Sequence, residues 1–125
     1  MLDTTAAVVS VEVDDAVAAK FEAFAREHDV TAFMLSHAAL AITVARLAAT
    51  SDVVIGAPIA GRTDAALADL VGMFVNTLVL RTDVDPAVPI GDFVAAVRST
   101  DVEAFAHADV QFDDLIDELL SLIHI

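Results

Sequence analysis

Three stretches of the chain carry the hydrophobic patterns of β-strands. Residues 9–13 place a valine at every second position, which is the period-two pattern of a strand buried on one face. Residues 52–59 form a continuous apolar run, and we expect that strand to end where Pro58 removes a backbone donor. Residues 74–82 are rich in Val and Leu. The pattern therefore predicts three short strands.

Helical patterns fill the segments between and after these strands. Apolar residues recur there at the three- and four-residue spacing of a helix that buries one face. The second helix, which runs to about Ala49, is apolar nearly all round, so we expect it to be buried on most sides. A short helix that ends at Gly72 precedes the third strand. Three of the predicted helices have candidate N-caps, which are Asp14 or Asp15, Thr31 and Asp64, and two more begin at Ile90 and near Gln111.

The order of these elements predicts an α/β fold. One strand, two helices, a strand, a short helix, a strand and two helices follow one another, so helices pack against a small mixed sheet. A sheet of only three strands leaves its edges and one face uncovered. We therefore expect the chain to be part of a larger domain.

The composition agrees with a domain that needs a partner. The chain has 125 residues, enough for one domain, and 58% of them are apolar. An average soluble domain has about 45–50% apolar residues. The surplus indicates a surface that is covered either by an oligomer partner or by the rest of a longer chain.

The charge of the chain disfavours several classes of partner. Twenty acidic residues against six basic ones give a formal charge of −14, which repels nucleic acids and anionic membranes. The longest uncharged stretch, residues 30–45, is shorter than the roughly 18–20 residues of a membrane span. The first residues lack the basic and apolar regions of a signal peptide. We expect a cytoplasmic protein with no nucleic-acid or membrane partner.

Residue types of common catalytic and metal sites occur only in poor arrangements. Ser36 and His37 are adjacent, and adjacent helical residues point about 100° apart, so we expect them to be polar residues tolerated in a buried helix. The four histidines lack metal-site spacing, and the absence of cysteine excludes disulfides and thiol nucleophiles. The acidic residues within 113–118 are expected to form a solvated helix face. No metal site is predicted.

Asn76 has an unusual predicted position. In the phase of the third strand it shares a face with Phe74 and Leu78, whereas Arg81 lies on the opposite face with its stem along the sheet. A buried amide without partners costs about 1–3 kcal/mol. Asn76 must therefore bond a neighbouring loop, which we favour, or line a polar passage.

Three stretches match the motifs of a known family in order and spacing. Residues 53–62 read Val-Val-Ile-Gly-Ala-Pro-Ile-Ala-Gly-Arg, and residues 70–81 read Leu-Val-Gly-Met-Phe-Val-Asn-Thr-Leu-Val-Leu-Arg. Residues 107–115 read His-Ala-Asp-Val-Gln-Phe-Asp-Asp-Leu. From Val8 to Leu119 the chain resembles the condensation domains of nonribosomal peptide synthetases, in the chloramphenicol-acetyltransferase-like superfamily.

The sequence departs from the family pattern in two respects. The third motif has Ala108, Gln111 and Asp113 where the family has Gln, Pro and Glu. Asp113 keeps the charge, whereas Gln111 lacks the proline that would fix the start of a helix. The catalytic His-His-x-x-x-Asp-Gly motif of the family is absent, because no two histidines are adjacent.

The resemblance implies a fold and a reaction for the parent protein. The family fold is a V-shaped pair of lobes with a tunnel, in which an amine attacks a carrier-bound thioester and a peptide bond forms. The missing histidine motif belongs to the first lobe, so residues 1–120 are identified as a partial condensation domain from the second lobe. Residues 121–125 are interpreted as a truncated or non-native tail. This fragment alone is expected to be inactive.

The resemblance also assigns roles to individual residues, none of them catalytic. Residues of the second motif would lie near the lobe interface and the tunnel, where Asn76 would line or brace the channel. The residues assigned to this region are Gly72, Phe74, Asn76, Thr77 and Arg81. The residues assigned to structural motifs are Gly56, Pro58, Gly61, Arg62, His107, Asp109 and Phe112.

The resemblance further implies partners. These are the first lobe of the same domain and the carrier and adenylation domains of the parent. Phosphopantetheine would belong to the carrier domains, and no cofactor is expected in this chain. Two alternatives remain open: an epimerisation or ester-forming acyltransferase domain of the same superfamily, or a stand-alone acidic interaction module.

Overall fold

The computed structural model describes residues 8, 10–61 and 69–123. Helices outnumber strands in this part of the chain, and a helical pair precedes and follows a β-hairpin. The elements in order are α1 (Asp15–Glu27), α2 (Ala32–Ala48), β1 (Asp52–Ala60), β2 (Val75–Asp83), α3 (Ile90–Ala106) and α4 (Phe112–Ile123).

The sheet is an antiparallel pair of strands in a continuous register. β1 and β2 pair from Asp52 opposite Asp83 to Ala60 opposite Val75. The expectation that β1 ends at Pro58 is wrong, since Pro58 is paired opposite Thr77 and the strand continues to Ala60. A proline is tolerated there because β1 has an open edge within the described residues.

The two faces of β2 differ in the way that the sequence predicted. The side chains of Asn76, Leu78, Leu80 and Thr82 are buried, whereas Arg81 and the valines at alternate positions are exposed. Helices α2 and α3 both contact the sheet and each other. The hairpin is therefore covered by helices on its buried face, and its outer face is open in the described part of the chain.

The main core lies between the sheet and helices α2 and α3, with α1 packed on α2. Alanines of α2 recur there at helical spacing, and their small side chains let α3 approach closely. The buried residues of this cluster are Ala25, Leu35, Ala38, Ala41, Ala45, Val53, Phe93, Val94 and Val97. A smaller cluster comprises Ala57, Leu78 and Leu80.

Both predicted N-caps of the first helices are confirmed. The Asp14 carboxylate accepts from the N–H of Ala16 at 2.8 Å, and the Thr31 hydroxyl accepts from the N–H of Met34 at 3.2 Å. The expected burial of α2 on most sides is wrong, because Leu47 is 84% exposed and Leu40 is half exposed. Only the stripe of α2 that faces α3 and the sheet is buried.

Of two other predicted elements, one is wrong and the other lies largely outside the described residues. The strand predicted over residues 9–13 is wrong for Ser10–Val13, which are not in a strand, and Val11 is 81% exposed. No strand of the described chain lies beside this segment to accept its hydrogen bonds. The short helix predicted from Asp64 falls largely on residues 62–68, which lie outside the described residues, as does Val9.

A sharp turn joins α1 to α2. Asp29 adopts a positive φ of 53° there, and its carboxylate accepts from the Arg98 guanidinium of α3 at 3.2 Å.

No single described helix is long and apolar enough to cross a bilayer. Only α1 and α2 taken together meet that test of length and composition, and they are bent by 107°.

The end of α2 supports a stability prediction. Ala49 closes this helix with a left-handed φ of 52° and ψ of 44°, where a Cβ atom is unfavourable. Ala49→Gly removes that strain, and we expect it to raise the free energy of unfolding by about 0.5–1 kcal/mol. The matched change Ala39→Gly, at an exposed position in the interior of the helix, should lower it by a similar amount. Urea unfolding followed by circular dichroism measures both, and equal effects of the two substitutions would contradict this explanation.

Candidate functional site

Asn76 connects β2 to the loop between α3 and α4. The side chain is only 5% exposed. Its Nδ2 donates to the carbonyl oxygens of Ala108 at 3.1 Å and Val110 at 2.7 Å. Its Oδ1 accepts from the N–H groups of Thr77 at 2.8 Å and Phe112 at 3.1 Å. The amide thus uses two donor hydrogens and two acceptor positions, and it satisfies the first N–H of α4.

This arrangement agrees with the favoured interpretation of Asn76 as a residue that bonds a neighbouring loop. All its hydrogen-bonding capacity is used by the protein itself. The Phe112 N–H at the start of α4 donates to Asn76, so this side chain helps to fix the start of the helix, where Gln111 stands in place of the family proline. The second and third motifs are therefore joined physically through one side chain.

Two glycines allow the chain to close the end of the hairpin beside Asn76. The Gly61 N–H donates to the Phe74 carbonyl at 2.7 Å, and a Cβ atom on Gly61 would overlap that carbonyl oxygen. A Cβ atom on Gly72 would lie 3.2 Å from the Phe74 ring. Gly56 is different, since its nearest neighbour is the Thr77 methyl at 3.4 Å, an ordinary contact. The close approach of the Phe74 carbonyl therefore requires a glycine at Gly61, and the Phe74 ring, less strictly, favours one at Gly72.

A cavity of about 500 Å³ lies beside these residues. It is lined by one or more residues of each of the three motif stretches: Gly61 of the first, Phe74 and Asn76 of the second, and Asp109 and Gln111 of the third. The structure thus brings together motifs that are up to 50 positions apart in the chain. The described lining contains no histidine, and the hydrogen-bonding groups of the Asn76 amide are occupied by protein groups.

The remaining predicted residues lie around this cavity or away from it. His107 ends α3 with an exposed side chain, and it borders a second cavity of about 220 Å³ with Thr77 and half-buried Phe112. Pro58 lies within β1 and is not among the residues that line the cavity of about 500 Å³. Arg62 lies outside the described residues.

Arg81 stabilises the opposite end of the hairpin. Its Nε and Nη2 donate to the two carboxylate oxygens of Asp52 at 2.8 and 2.9 Å. The hydrogen bonds from Arg81 lower the pKa of the Asp52 carboxyl, and those with Asp52 raise the pKa of the Arg81 guanidinium. This bidentate pair is exposed and lies on the outer face of the sheet, whereas Asn76 lies on the buried face.

A buried polar cluster was missed by the sequence analysis. His37 of α2 has its Nδ1 at 2.8 Å from Asp101 Oδ1 of α3, and its Nε2 at 3.2 Å from the Thr82 hydroxyl of β2. All three side chains are buried, and Asp101 is 0% exposed. Burial raises the pKa of the Asp101 carboxyl, and the neighbouring His37 opposes that rise. Ser36 takes no part, because its hydroxyl donates to the Ala32 carbonyl at 2.7 Å.

One signal in the sequence points to this cluster. Asp101 follows Phe93, Val94 and Val97 at helical spacing, so it falls on the apolar stripe of α3. A carboxylate on a buried stripe requires a partner. The helical phase alone does not identify His37, which is 64 positions away in the chain.

Comparison with known proteins identifies the family. Residues 3–121 match the Condensation domain family. The chain belongs to this family. Among its relatives, the dimodular nonribosomal peptide synthase of Bacillus subtilis is 41% identical over 100 residues, which is 80% of this chain. The isonitrile lipopeptide synthase of Mycobacterium tuberculosis is 38% identical over 117 residues, which is 94% of this chain. The resemblance drawn from the three motifs is confirmed.

Solved condensation domains have the same fold. The domain from the monacolin K polyketide synthase MokA superimposes with a TM-score of 0.81 at 30% identity, over 87% of this chain. The first condensation domain of the calcium-dependent antibiotic synthetase, in complex with a substrate analogue, gives a TM-score of 0.73 at 27% identity over 79% of this chain. The predicted α/β, chloramphenicol-acetyltransferase-like fold class is confirmed.

This chain spans a small part of the proteins that it matches. It covers 4% of the dimodular nonribosomal peptide synthase and 5% of the isonitrile lipopeptide synthase. It covers 24% of the MokA condensation domain chain and 22% of the antibiotic synthetase domain chain. The matched region is therefore a segment of a condensation domain in each of these structures.

The bonding of Asn76 predicts a large stability effect. Asn76→Ala leaves two carbonyl oxygens and two N–H groups without their side-chain partner, and we expect a loss of about 2–4 kcal/mol in the free energy of unfolding. Exposed Gln111→Ala, in the adjoining loop, serves as the control and should change this free energy by less than about 0.5 kcal/mol. Chemical denaturation measures both variants. A loss below about 1 kcal/mol for Asn76→Ala would contradict a bracing role.

Proposed function

We propose that this chain is part of the second lobe of a condensation domain whose parent synthetase forms amide bonds between carrier-tethered acyl groups. The observation that supports this most strongly is the cavity of about 500 Å³, because residues of all three family motifs line it. In this proposal the cavity is a portion of the wall of the reaction channel. Phe74 and Asn76 line that wall. Gly72 lies against the Phe74 ring, and the Thr77 N–H donates to Asn76. The outer-face pair of Arg81 with Asp52 holds the strand that carries Asn76.

The described residues of this chain have a positioning role in the proposed reaction. Amide formation needs a group that accepts or orients the proton of the attacking amine. His37 is buried against Asp101, His28 stacks on Phe24 with ring centroids 4.2 Å apart, and His107 lies outside the lining of the channel wall. In this proposal the histidine that acts on the amine comes from the first lobe.

The proposed partners follow from the open surfaces of the described chain. Val54, Val75 and Val79 expose apolar surface on the outer face of the hairpin, as expected for a lobe that packs against further protein. We assign this role to the rest of the same domain, which includes the first lobe.

In the proposed parent, carrier domains would deliver the acyl groups on phosphopantetheine. Adenylation domains would load the carriers, and the assembly would be cytoplasmic.

A second candidate is acyl transfer outside peptide synthesis. The similarity to a condensation domain of a polyketide synthase supports it. An ester-forming or epimerising parent would use the same second-lobe wall with a different acceptor or a different first lobe. The acceptor in the assay below is therefore varied between an amine and an alcohol.

A chimera tests the proposed function. The segment of the dimodular nonribosomal peptide synthase that aligns with this chain over 100 residues is replaced by the corresponding part of this chain, and amide formation between loaded carriers is measured by mass spectrometry. We expect the chimera to form the amide, and we expect the 125-residue chain alone to form none. Replacing the first-lobe histidine motif of the chimera with alanines is the control and should abolish the product.

Three results would contradict the proposal. Amide formation by the chain alone would show that it contains a complete catalytic site. A chimera that melts cooperatively by circular dichroism but transfers nothing would show that the chain cannot serve as this wall. Transfer to the alcohol and not to the amine would favour the second candidate.

A further inference from the structure

His37, Asp101 and Thr82 form a polar cluster in the core, away from the channel wall. They join three elements, α2, α3 and β2, through contacts of 2.8 and 3.2 Å. Asp101 Oδ1 contacts the imidazole, whereas Asp101 Oδ2 has no hydrogen-bond partner among the described protein atoms. The imidazole is therefore the main group that can compensate the charge of this buried carboxylate.

The elements around the cluster supply no other charge to the core. The buried polar residues of the described chain are His37, Asn76, Thr82 and Asp101, and only the His–Asp pair among them is titratable. The arginines of these elements are exposed: Arg81 pairs with Asp52, Arg98 with Asp29, and Arg46 is at the end of α2. Helix α1 and strand β1 contribute apolar side chains, which are Phe21, Phe24, Ala25, Val53, Ile55 and Ala57.

A net charge on the pair would be costly in this environment. A neutral imidazole beside an ionised carboxylate leaves one negative charge in the core, and a protonated carboxyl beside an imidazolium leaves one positive charge. The pair avoids both when it holds one proton, either as an imidazolium beside a carboxylate or as a neutral imidazole beside a carboxylic acid. The Nε2–H of His37 then donates to the Thr82 hydroxyl, so both ring nitrogens are satisfied.

We propose that His37 and Asp101 form a net-neutral pair that shares one proton and holds α2, α3 and β2 together, and that the folded pair retains this proton above the pH at which an unfolded histidine loses it. This inference is independent of the proposed function. The three residues lie outside the lining of the channel wall, and the inference concerns folding of this chain alone.

The proposal fixes the number of protons that folding takes up. In the unfolded chain histidine titrates near pH 6.5 and aspartate near pH 3.9. Between these values the folded and unfolded pairs each carry one titrating proton, so the pair contributes no pH dependence. Above about pH 6.5 only the folded pair keeps it, and the folding constant falls by up to about tenfold per pH unit. Below about pH 3.9 the two unfolded residues bind two protons, whereas the folded pair binds one. The folding constant therefore falls as the pH is lowered further.

Asp101→Asn isolates this effect from the many other acidic groups. The amide keeps the shape of the carboxyl but carries no charge, so His37 is expected to be neutral in the folded variant. The unfolded histidine binds the same number of protons in both proteins, so it does not affect the ratio of their folding constants. We therefore expect the ratio of the folding constants, wild type to variant, to fall about tenfold per pH unit as the pH rises from 5 to 8.

Urea unfolding at several pH values measures this ratio for the full 125-residue chain. His107→Gln is the control, because it removes an exposed histidine that has no contact with the cluster. A ratio for Asp101→Asn that is constant between pH 5 and 8 would overturn the proposal, since it would mean that the folded pair holds no extra proton.

A second measurement keeps the test decisive if Asp101→Asn does not fold. Nitrogen-15 and carbon-13 NMR of the wild-type chain at pH 7.5 report whether each imidazole nitrogen and the Asp101 carboxyl carry a hydrogen. We expect hydrogens either on both ring nitrogens of His37, or on one ring nitrogen and on the Asp101 carboxyl. A His37 ring with a hydrogen on one nitrogen only, beside an ionised Asp101 carboxylate, would overturn the proposal.

Discussion

The antiparallel pairing of β1 with β2 is the interaction on which the rest of the structure depends. A two-stranded hairpin is marginally stable in water, so it persists only where other elements cover it. Helices α2 and α3 cover one face, and the alternation of buried and exposed residues in β2 determines which face that is. The pairing is held at one end by Arg81 on Asp52, and at the other by Gly61 on the Phe74 carbonyl.

Directional polar contacts then fix the helices on this hairpin. Apolar packing is favourable over many relative positions, whereas a hydrogen bond requires a particular distance and angle. Near one end of β2, Asn76 joins the strand to the start of α4. Near the other end, Thr82 bonds His37, which bonds Asp101 of α3. The cavity beside Asn76 thus rests on a strand whose position is fixed near both ends.

Local sequence signals predicted the local structure well. Short-range chemistry explains the N-caps at Asp14 and Thr31 and the alternation of buried and exposed residues along β2. It also explains why α4 begins within the third motif. The strand over residues 9–13 failed because alternation reports a preference and not the presence of a partner strand. Pro58 did not end β1, since a proline is excluded only where its missing donor is needed.

Contacts between distant residues were not predictable in the same way. Asn76 was recognised as buried, but the loop that it bonds is more than 30 positions away. His37 was interpreted as a tolerated polar residue, because its partners Thr82 and Asp101 become neighbours only when the hairpin packs on α2 and α3. Residues of the three family motifs line one cavity, since the motifs carry information about the fold that local patterns lack.

The central claim is that this chain forms one side of a channel whose catalytic histidine lies on a preceding lobe. Sequencing the coding DNA on both sides of the 125 codons tests this claim most directly. We expect an in-frame upstream segment that contains His-His-x-x-x-Asp-Gly, flanked by carrier and adenylation domains. In-frame stop codons close on both sides would contradict the claim and would favour a stand-alone acidic interaction module that shares only ancestry with condensation domains.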